Sequence, residues 1–193
     1  MDITATKDFF IEKLNLELKP DLYYHSIRHT LDVHDAAVKI AEMENVNGHD
    51  MLLLRTAAYL HDAGLINTYI GHEEASVVIA KEYLPKFGYS VDDIDIVSAM
   101  ILTTKLPQKA NTKFEQILCD ADLDYLGRDD FFMIAHRLRC EWNIYNSQTS
   151  LKEWYQIQIK FLEGHTYFTE SARKLRCEKK KFNLDQIKEV MGV

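Results

Sequence analysis

The segment MLLLRTAAYLHDAGL, residues 51–65, constrains the fold more than any other part of the chain. It is too apolar for a surface helix, and Asp50 before it and Gly64 near its end are residues typical of helix boundaries. We therefore expect a helix, capped by Asp50, that runs through the protein core. His61 and Asp62 stand at its end, so a titratable pair is expected in the interior.

Helical periodicity continues through the rest of the chain. A first helix capped by Thr4 or Thr6 is predicted, then helices from Ser26, from His72 and from a capping box at Ser90. Beyond Pro107, further helices are expected in TKFEQILCDADLDYL, RDDFFMIAHRLRCEWNIYN, SLKEWYQIQIKFLEG and NLDQIKEVM. No segment alternates with period two, and only three Pro and seven Gly interrupt 193 residues. The prediction is an all-α, single-domain helical bundle over residues 1–193.

The composition of the chain limits the kinds of partner that the protein is expected to bind. With 23 Lys and Arg against 30 Asp and Glu the net charge is -7, which argues against general binding of nucleic acid or anionic membrane. Three widely spaced Cys indicate reduced thiols, and no signal peptide or membrane-spanning run is recognisable, so a cytoplasmic protein is expected. A chain of this length folds without a metal, so metal ligands would be free for chemistry.

Histidines beside acidic or aromatic residues mark the candidate site. His25 and His29 are four apart, which on a helix would put both rings on one face, about 6 Å between Cβ atoms. His61 and Asp62 end the most apolar helix, where burial is costly unless each side chain has a partner. A divalent cation would be a partner for both.

A further carboxylate is available in the segment Cys119-Asp-Ala-Asp-Leu-Asp124. Asp120 and Asp124 share one helix face and Asp122 points elsewhere. Two His with two Asp suit Mn²⁺, Fe²⁺, Zn²⁺, Mg²⁺ or Co²⁺ and leave coordination positions open for water and substrate. Hydrolysis requires such open positions.

The ordered set His29, His61-Asp62 and Asp122 resembles the H...HD...D signature of the HD-domain metal-dependent phosphohydrolases, which are all-helical enzymes. The resemblance covers about residues 22–127, with C-terminal helices in 128–193 completing the domain. It implies that these four residues bind one divalent metal. Ala-Asp122-Leu matches the family's last aspartate, so the resemblance favours Asp122 over Asp120.

The block Tyr24-His25-x-x-x-His29 is similar to the Y-H-x-x-x-H of cyclic-nucleotide phosphodiesterases. This likeness implies that His25 is the general acid and His29 a ligand. Those enzymes carry another histidine soon after the HD, whereas here the next one is His72, so a second metal is left open. Lys105 is the candidate to neutralise charge on the phosphoryl group, with Asp62 serving both metal and catalysis.

The predicted function is a metal-dependent phosphohydrolase that cleaves a phosphoester of a small nucleotide-like substrate with metal-activated water, cyclic phosphodiesters included. Nucleotide phosphatase or pyrophosphohydrolase activity is the alternative within enzymes. A non-catalytic, metal-containing nucleotide sensor is the alternative outside them. The residues expected to contact the substrate or support the ligands are His72, Glu73, Thr104 and His165.

Overall fold

A computed structural model describes all 193 residues and contains nine α-helices, three short 3-10 helices and no strand, so the all-α prediction is confirmed. None of the helices combines the length and hydropathy of a membrane span. The α-helices are α1 (Ile3–Glu17), α2 (Ile27–Met43), α3 (Gly48–Leu60), α4 (His72–Tyr83), α5 (Val91–Thr103), α6 (Lys113–Asp122), α7 (Phe131–Tyr145), α8 (Leu151–Gly164) and α9 (Glu170–Met191).

Helix α3 is the central element, as its composition predicts. It packs against α1, α2, α5 and α6. Leu53, Leu54 and Ala57 on this helix are at most 1% exposed. Complete burial of a leucine side chain stabilises a fold by roughly 1.5–3 kcal/mol, so this helix fixes the positions of the helices around it.

Two apolar cores meet beside α2. The larger is built on α1 to α6, and the smaller joins Tyr24 to Leu126, Phe131, Leu162 and Ile187 from the C-terminal third of the chain. Because Tyr24 belongs to the smaller core, the segment that carries His25 enters α2 at the junction between the two.

Two predicted caps are wrong. The first helix is capped by Asp2, whose side chain accepts a hydrogen bond from the Ala5 backbone N–H, so Thr4 and Thr6 lie inside α1. Helix α3 begins three residues earlier than predicted, at Gly48 with Asn47 as its N-cap, which puts Asp50 in the first turn. Acidic side chains are favourable both at the N-cap and in the first turn of a helix, so composition alone does not show which of these positions a given acid occupies.

The capping box at Ser90 is confirmed, since Ser90 and Asp93 exchange side-chain and backbone hydrogen bonds at the start of α5. Equivalent boxes begin α6 at Thr112 and α8 at Ser150. At the C-terminus, α9 runs through 22 residues, so the predicted helix NLDQIKEVM is the second half of a longer one.

The turn after α3 is packed tightly against α4. Gly64 lies in a 3-10 helix, Ala63–Ile66, where a Cβ atom would stand 2.0 Å from the His72 carbonyl oxygen and 2.6 Å from the Ser76 nitrogen. The Gly64 N–H donates to Ser76 Oγ (2.7 Å), and that hydroxyl donates to the His61 carbonyl (2.8 Å). Only glycine permits this approach, which joins the His-Asp turn to α4.

Candidate metal centre

The four predicted ligands come from the ends of three helices and meet in one place. His29 lies in the first turn of α2, His61 and Asp62 follow the last residue of α3, and Asp122 is the last residue of α6. His29, His61 and Asp62 are buried and Asp122 is partly buried. Helix packing therefore brings together residues up to 93 positions apart in the sequence, counting from 29 to 122.

The donor atoms have the spacing of a coordination shell. His29 Nε2 lies 3.3 Å from His61 Nε2 and 3.2 Å from Asp122 Oδ1. Asp62 Oδ2 lies 3.2 Å from His61 Nε2 and 3.5 Å from His29 Nε2. Ligand atoms held about 2.1 Å from one cation stand roughly 3.0–3.5 Å from each other. One donor atom each from His29, His61 and Asp122 lies within 4.8 Å of the others, a group that could hold a metal ion.

The polar atoms of this cluster fit a cation better than they fit one another. Asp62 Oδ2 is buried without any hydrogen-bond partner. His61 Nδ1 lies 2.9 Å from the Ala58 carbonyl and so carries a proton, and Nε2 is the nitrogen that faces His29 and the carboxylates. A divalent ion would bind both the unpaired oxygen and Nε2, in place of a proton on that nitrogen.

Electrostatics at the cluster also favour positive charge. Burial by itself lowers the pKa of His61, but the nearby Asp62 carboxylate outweighs it and raises that pKa to about 9. Burial opposes ionisation of Asp62, yet the adjacent His61 and His25 hold the pKa of Asp62 well below its usual range. The surroundings of Asp62 thus favour its ionised form next to a positively charged group.

Asp120 and Asp122 differ in the hydrogen bonds that surround them. Asp120 is buried and accepts hydrogen bonds from the backbone N–H groups of Phe168 (2.7 Å) and Thr169 (2.8 Å) and from the Thr169 hydroxyl (2.7 Å). Asp122 receives one side-chain hydrogen bond, from Gln108 Nε2 at 3.2 Å, on the oxygen that faces away from His29. Asp120 is thus engaged in joining α6 to α9, and the structure supports Asp122 as the ligand.

His25 lies beside the cluster but not on a helix. Helix α2 begins at Ile27 with Ser26 as its N-cap, so the predicted shared helix face of His25 and His29 is wrong. The two rings are still neighbours, edge to face, with centroids 5.8 Å apart. The His25 ring is aimed at the site by a buried carboxylate rather than by helical spacing.

That carboxylate is Glu141, which the sequence motifs do not predict. It is fully buried, accepts hydrogen bonds from the backbone N–H groups of Tyr24 (2.9 Å) and His25 (3.1 Å), and contacts His25 Nδ1. The available signal was its position on α7, since Glu141 follows Ile134 and Leu138 at helical spacing on the face that enters the smaller core. An acid on such a face is rarely buried without a partner.

Glu141 and His25 stabilise each other's charged forms. Burial would lower the pKa of His25, but the charge of Asp62 and the hydrogen bond to Glu141 raise it above its ordinary value. Burial would raise the pKa of Glu141, but the His25 ring and the two N–H donors lower it. The protonated form of His25, which can donate a proton, is therefore favoured.

His72 and Glu73 lie on the other side of Asp62. His72 Nε2 is 3.3 Å from Asp62 Oδ1 and 3.7 Å from Glu73 Oε1, while His72 Nδ1 is 2.9 Å from the Tyr69 carbonyl. Burial would lower the pKa of His72, but the Asp62 hydrogen bond raises it to about 9. The two oxygens of Asp62 thus face different histidines, His61 on one side and His72 on the other.

Lys105 and Thr104 are not part of the cluster. Lys105 is exposed, and its ammonium pairs with Glu74 of α4, which raises the pKa of Lys105. The Thr104 hydroxyl donates to the Ile101 carbonyl (2.8 Å) and so closes the end of α5. Gln108, four residues further on, is the side chain from this region that reaches Asp122. Thr104 is engaged in a hydrogen bond at the end of α5, and Lys105 is engaged in a surface ion pair.

His165 is also remote from the four ligands. Its Nδ1 lies 3.2 Å from Lys180 Nζ and its ring packs edge-on against Tyr167. Burial, together with the Lys180 charge, lowers the pKa of His165 to about 4, so it is a neutral side chain between α8 and α9.

Comparisons with known proteins find a matching family and similar folds. The family model described as HD domain matches residues 26–124. An uncharacterized protein of Clostridium beijerinckii is 30% identical over 125 residues, 62% of this chain and 78% of the relative.

Two solved structures share the fold. The crystal structure of a predicted HD superfamily hydrolase from an uncultured Thermotogales bacterium has a TM-score of 0.66 and 22% identity, and the match covers 100% of this chain and 98% of that one. The structure of Bacillus subtilis YpgQ in complex with ADP has a TM-score of 0.69 and 19% identity, and covers 98% of this chain and 96% of that one.

Proposed function

The chain belongs to the HD-domain family of metal-dependent hydrolases, and we propose that it hydrolyses a phosphoester bond of a nucleotide-like substrate. His29, His61, Asp62 and Asp122 would hold the divalent cation. When bound, such a cation lowers the pKa of water and stabilises negative charge on phosphoryl oxygen.

One observation carries the proposal: donor atoms of His29, His61 and Asp122 lie within 4.8 Å of one another, and Asp62 Oδ2, 3.2 Å from His61 Nε2, is buried without a hydrogen-bond partner. A buried unpaired carboxylate oxygen costs stability, so its retention is expected where a ligand supplies the missing partner. Asp122 at the partly exposed edge leaves a side of the cluster open to substrate.

His25 is the proposed proton donor. Its ring stands within 5.8 Å, centroid to centroid, of both His29 and His72, so it borders the space in which a scissile phosphoester would lie. Glu141 fixes the ring through Nδ1, which leaves Nε2 to give its proton to the leaving oxygen. Proton transfer at that atom would avoid release of an unstable alkoxide.

A nucleotide is the proposed substrate class for two reasons. The fold neighbour YpgQ is described in complex with ADP. In this chain, Tyr69 and Tyr145 stack with ring centroids 4.2 Å apart, and Tyr69 stands 6.1 Å from the His25 ring. An aromatic platform beside the proton donor is the kind of surface on which a base stacks.

The test is metal analysis of the purified protein followed by phosphate-release assays with Mn²⁺. The panel comprises cyclic nucleotides, nucleoside mono-, di- and triphosphates, and dinucleotides. We expect bound metal and turnover of at least one class, both lost in Asp62→Ala. Asp95→Ala removes an exposed acid from α5 and should leave both unchanged. Undiminished turnover by Asp62→Ala would overturn the assignment, and no turnover by metal-loaded protein would favour the sensor function.

A further inference from the structure

A cavity of about 200 Å³ lies between α7, α8 and α9. Phe131 and Ala135 line it from α7, Trp154 and Gln158 from α8, and Ile187 from α9. Protein interiors leave few voids larger than a water molecule, so a cavity of this size is an uncommon feature. An apolar cavity of about 150 Å³ is large enough to hold benzene. This cavity can therefore hold one aromatic ring.

A row of aromatic rings separates the cavity from the candidate metal centre. Phe131 stacks on Tyr125 with ring centroids 6.2 Å apart, and Tyr125 packs against Tyr24 at 5.5 Å. Tyr24 is in turn 4.5 Å from the His29 ring. Neither the four candidate ligands nor the proposed proton donor lines the cavity. A molecule bound there would therefore occupy a site of its own.

The wall of the cavity favours an aromatic occupant. Seven of the nine side chains that line it are aromatic or aliphatic, and they include Phe131, Trp154 and Tyr155. Aromatic rings attract one another in offset and edge-to-face arrangements beyond the effect of the area that they bury. Phe132 and Leu151 also line the cavity and are exposed, so a small molecule can reach it from the surface.

One polar group of this wall has no partner. Gln158 is 3% exposed, and its Oε1 is buried and forms no hydrogen bond. A buried amide oxygen that is left unpaired costs stability. The mostly apolar wall would hold a buried water molecule poorly, because such waters typically make about three hydrogen bonds. An apolar ring that carries its own O–H or N–H donor would both fill the space and satisfy Oε1.

We propose that the cavity between α7, α8 and α9 binds a small aromatic molecule with one hydroxyl or ring N–H, a phenol or an indole, which donates to Gln158 Oε1. The inference goes beyond the proposed hydrolase function and does not depend on it, because the cavity and the candidate metal centre share no residue.

The first test compares phenol with toluene, which has a similar shape and no donor, by calorimetry. Phenol should bind the wild type. Gln158→Met keeps an unbranched side chain but removes the amide, so phenol binding should weaken about fivefold, the effect of one hydrogen bond. Toluene should bind this variant at least as tightly as the wild type. Gln156→Met changes an exposed glutamine of the same helix and should bind both compounds like the wild type.

Two further measurements locate the molecule and identify the role of Gln158. Ala135→Leu fills part of the cavity from α7 and should abolish binding of phenol and toluene alike. The Tm of ligand-free Gln158→Met should equal or exceed that of the wild type, because an unpaired buried amide is removed. A Tm several degrees lower would show that this amide has a structural partner and would overturn its role as a ligand group.

The proposal would be refuted if the wild type did not bind phenol, or if Gln158→Met lost phenol and toluene affinity equally. Phenol binding that persists in Ala135→Leu would place the molecule elsewhere and would count equally against it. Phenol affinity that falls as the protein concentration rises would show that a second copy of the chain fills the cavity, and it too would overturn the proposal.

Discussion

Glu141 holds His25 across 116 positions of sequence, and its carboxylate accepts from both the backbone N–H and the ring of that histidine. The pair joins α7 to the segment before α2, so the orientation of the proposed proton donor depends on a helix that carries none of the candidate ligands.

Replacing Glu141 by Gln should therefore change the pH dependence of the reaction. The amide oxygen still accepts from the Tyr24 and His25 N–H groups, but the negative charge that helps raise the pKa of His25 is lost. The pKa of His25 falls, so the protonated form disappears at lower pH and the alkaline limb of the kcat/KM profile moves down by about one pH unit.

The measurement is the kcat/KM profile of both proteins with the same metal load. Metal content should not change, since Glu141 contacts none of the four ligands. An alkaline limb at the same pH in Glu141→Gln as in the wild type would exclude His25 as the proton donor coupled to this carboxylate.

Two aspartates of α6 should give opposite results when each is changed to Asn. Asp122→Asn should bind metal at least tenfold more weakly, with little change in the stability of the metal-free protein. Asp120→Asn weakens three hydrogen bonds to Phe168 and Thr169, so its free energy of unfolding should fall by roughly 1.5–3 kcal/mol while metal content is retained. Metal titration and urea unfolding distinguish the two, and the reverse pattern would make Asp120 the ligand.

Metal binding should stabilise the fold through the His-Asp turn. Mn²⁺ at about 100 times its Kd should add about 2.7 kcal/mol to the free energy of unfolding, seen as a rise in Tm that a chelator reverses. His61→Ala should abolish the rise. His49→Ala is the matched control, because His49-Asp50 is another His-Asp pair of the chain and His49 contacts Asp93, outside the cluster. A metal-dependent rise that survives in His61→Ala would contradict the proposed ligand set.

Gly64→Ala should damage both the fold and the site. A Cβ atom there meets backbone atoms of His72 and Ser76, which cannot move without displacing α4, so we expect a loss of about 3 kcal/mol in stability and weaker metal binding. Gly164→Ala serves as control because no atom lies within 4 Å of its added Cβ. Thermal unfolding of the two variants tests this. Equal Tm values would show that α4 can shift to admit the Cβ atom without a loss of stability.

Most of the helices could be predicted from local patterns, and the resemblance to the H...HD...D signature indicated the four residues that the structure brings together. Helical periodicity indicates α3 and α6, and the order of His29, His61-Asp62 and Asp122 indicates which side chains meet. The predictions that differ from the structure concern residues whose positions depend on contacts between distant segments. Nothing in the sequence at the end of α5 indicates that Glu74, 31 residues earlier, pairs with Lys105. The four-residue spacing of His25 and His29 predicted a shared helix, because the contact between His25 and Glu141 leaves no local pattern in the sequence.

The cap of α1 failed for a different reason. Asp2, Thr4 and Thr6 are all good N-cap residues, and their ranking depends on where the chain before the helix packs. Here the Asp2 N–H donates to the Phe87 carbonyl (2.9 Å), which fixes the chain start against the region after α4. Helix boundaries of this kind are set by tertiary contacts.

The segment that matches the HD-domain family ends at residue 124, just after Asp122, whereas Glu141 lies downstream of it on α7. The four candidate ligands therefore lie inside the matched segment, and the carboxylate that holds the His25 ring lies outside it. A match to this segment alone covers the candidate metal centre but not the residue that orients the proposed proton donor.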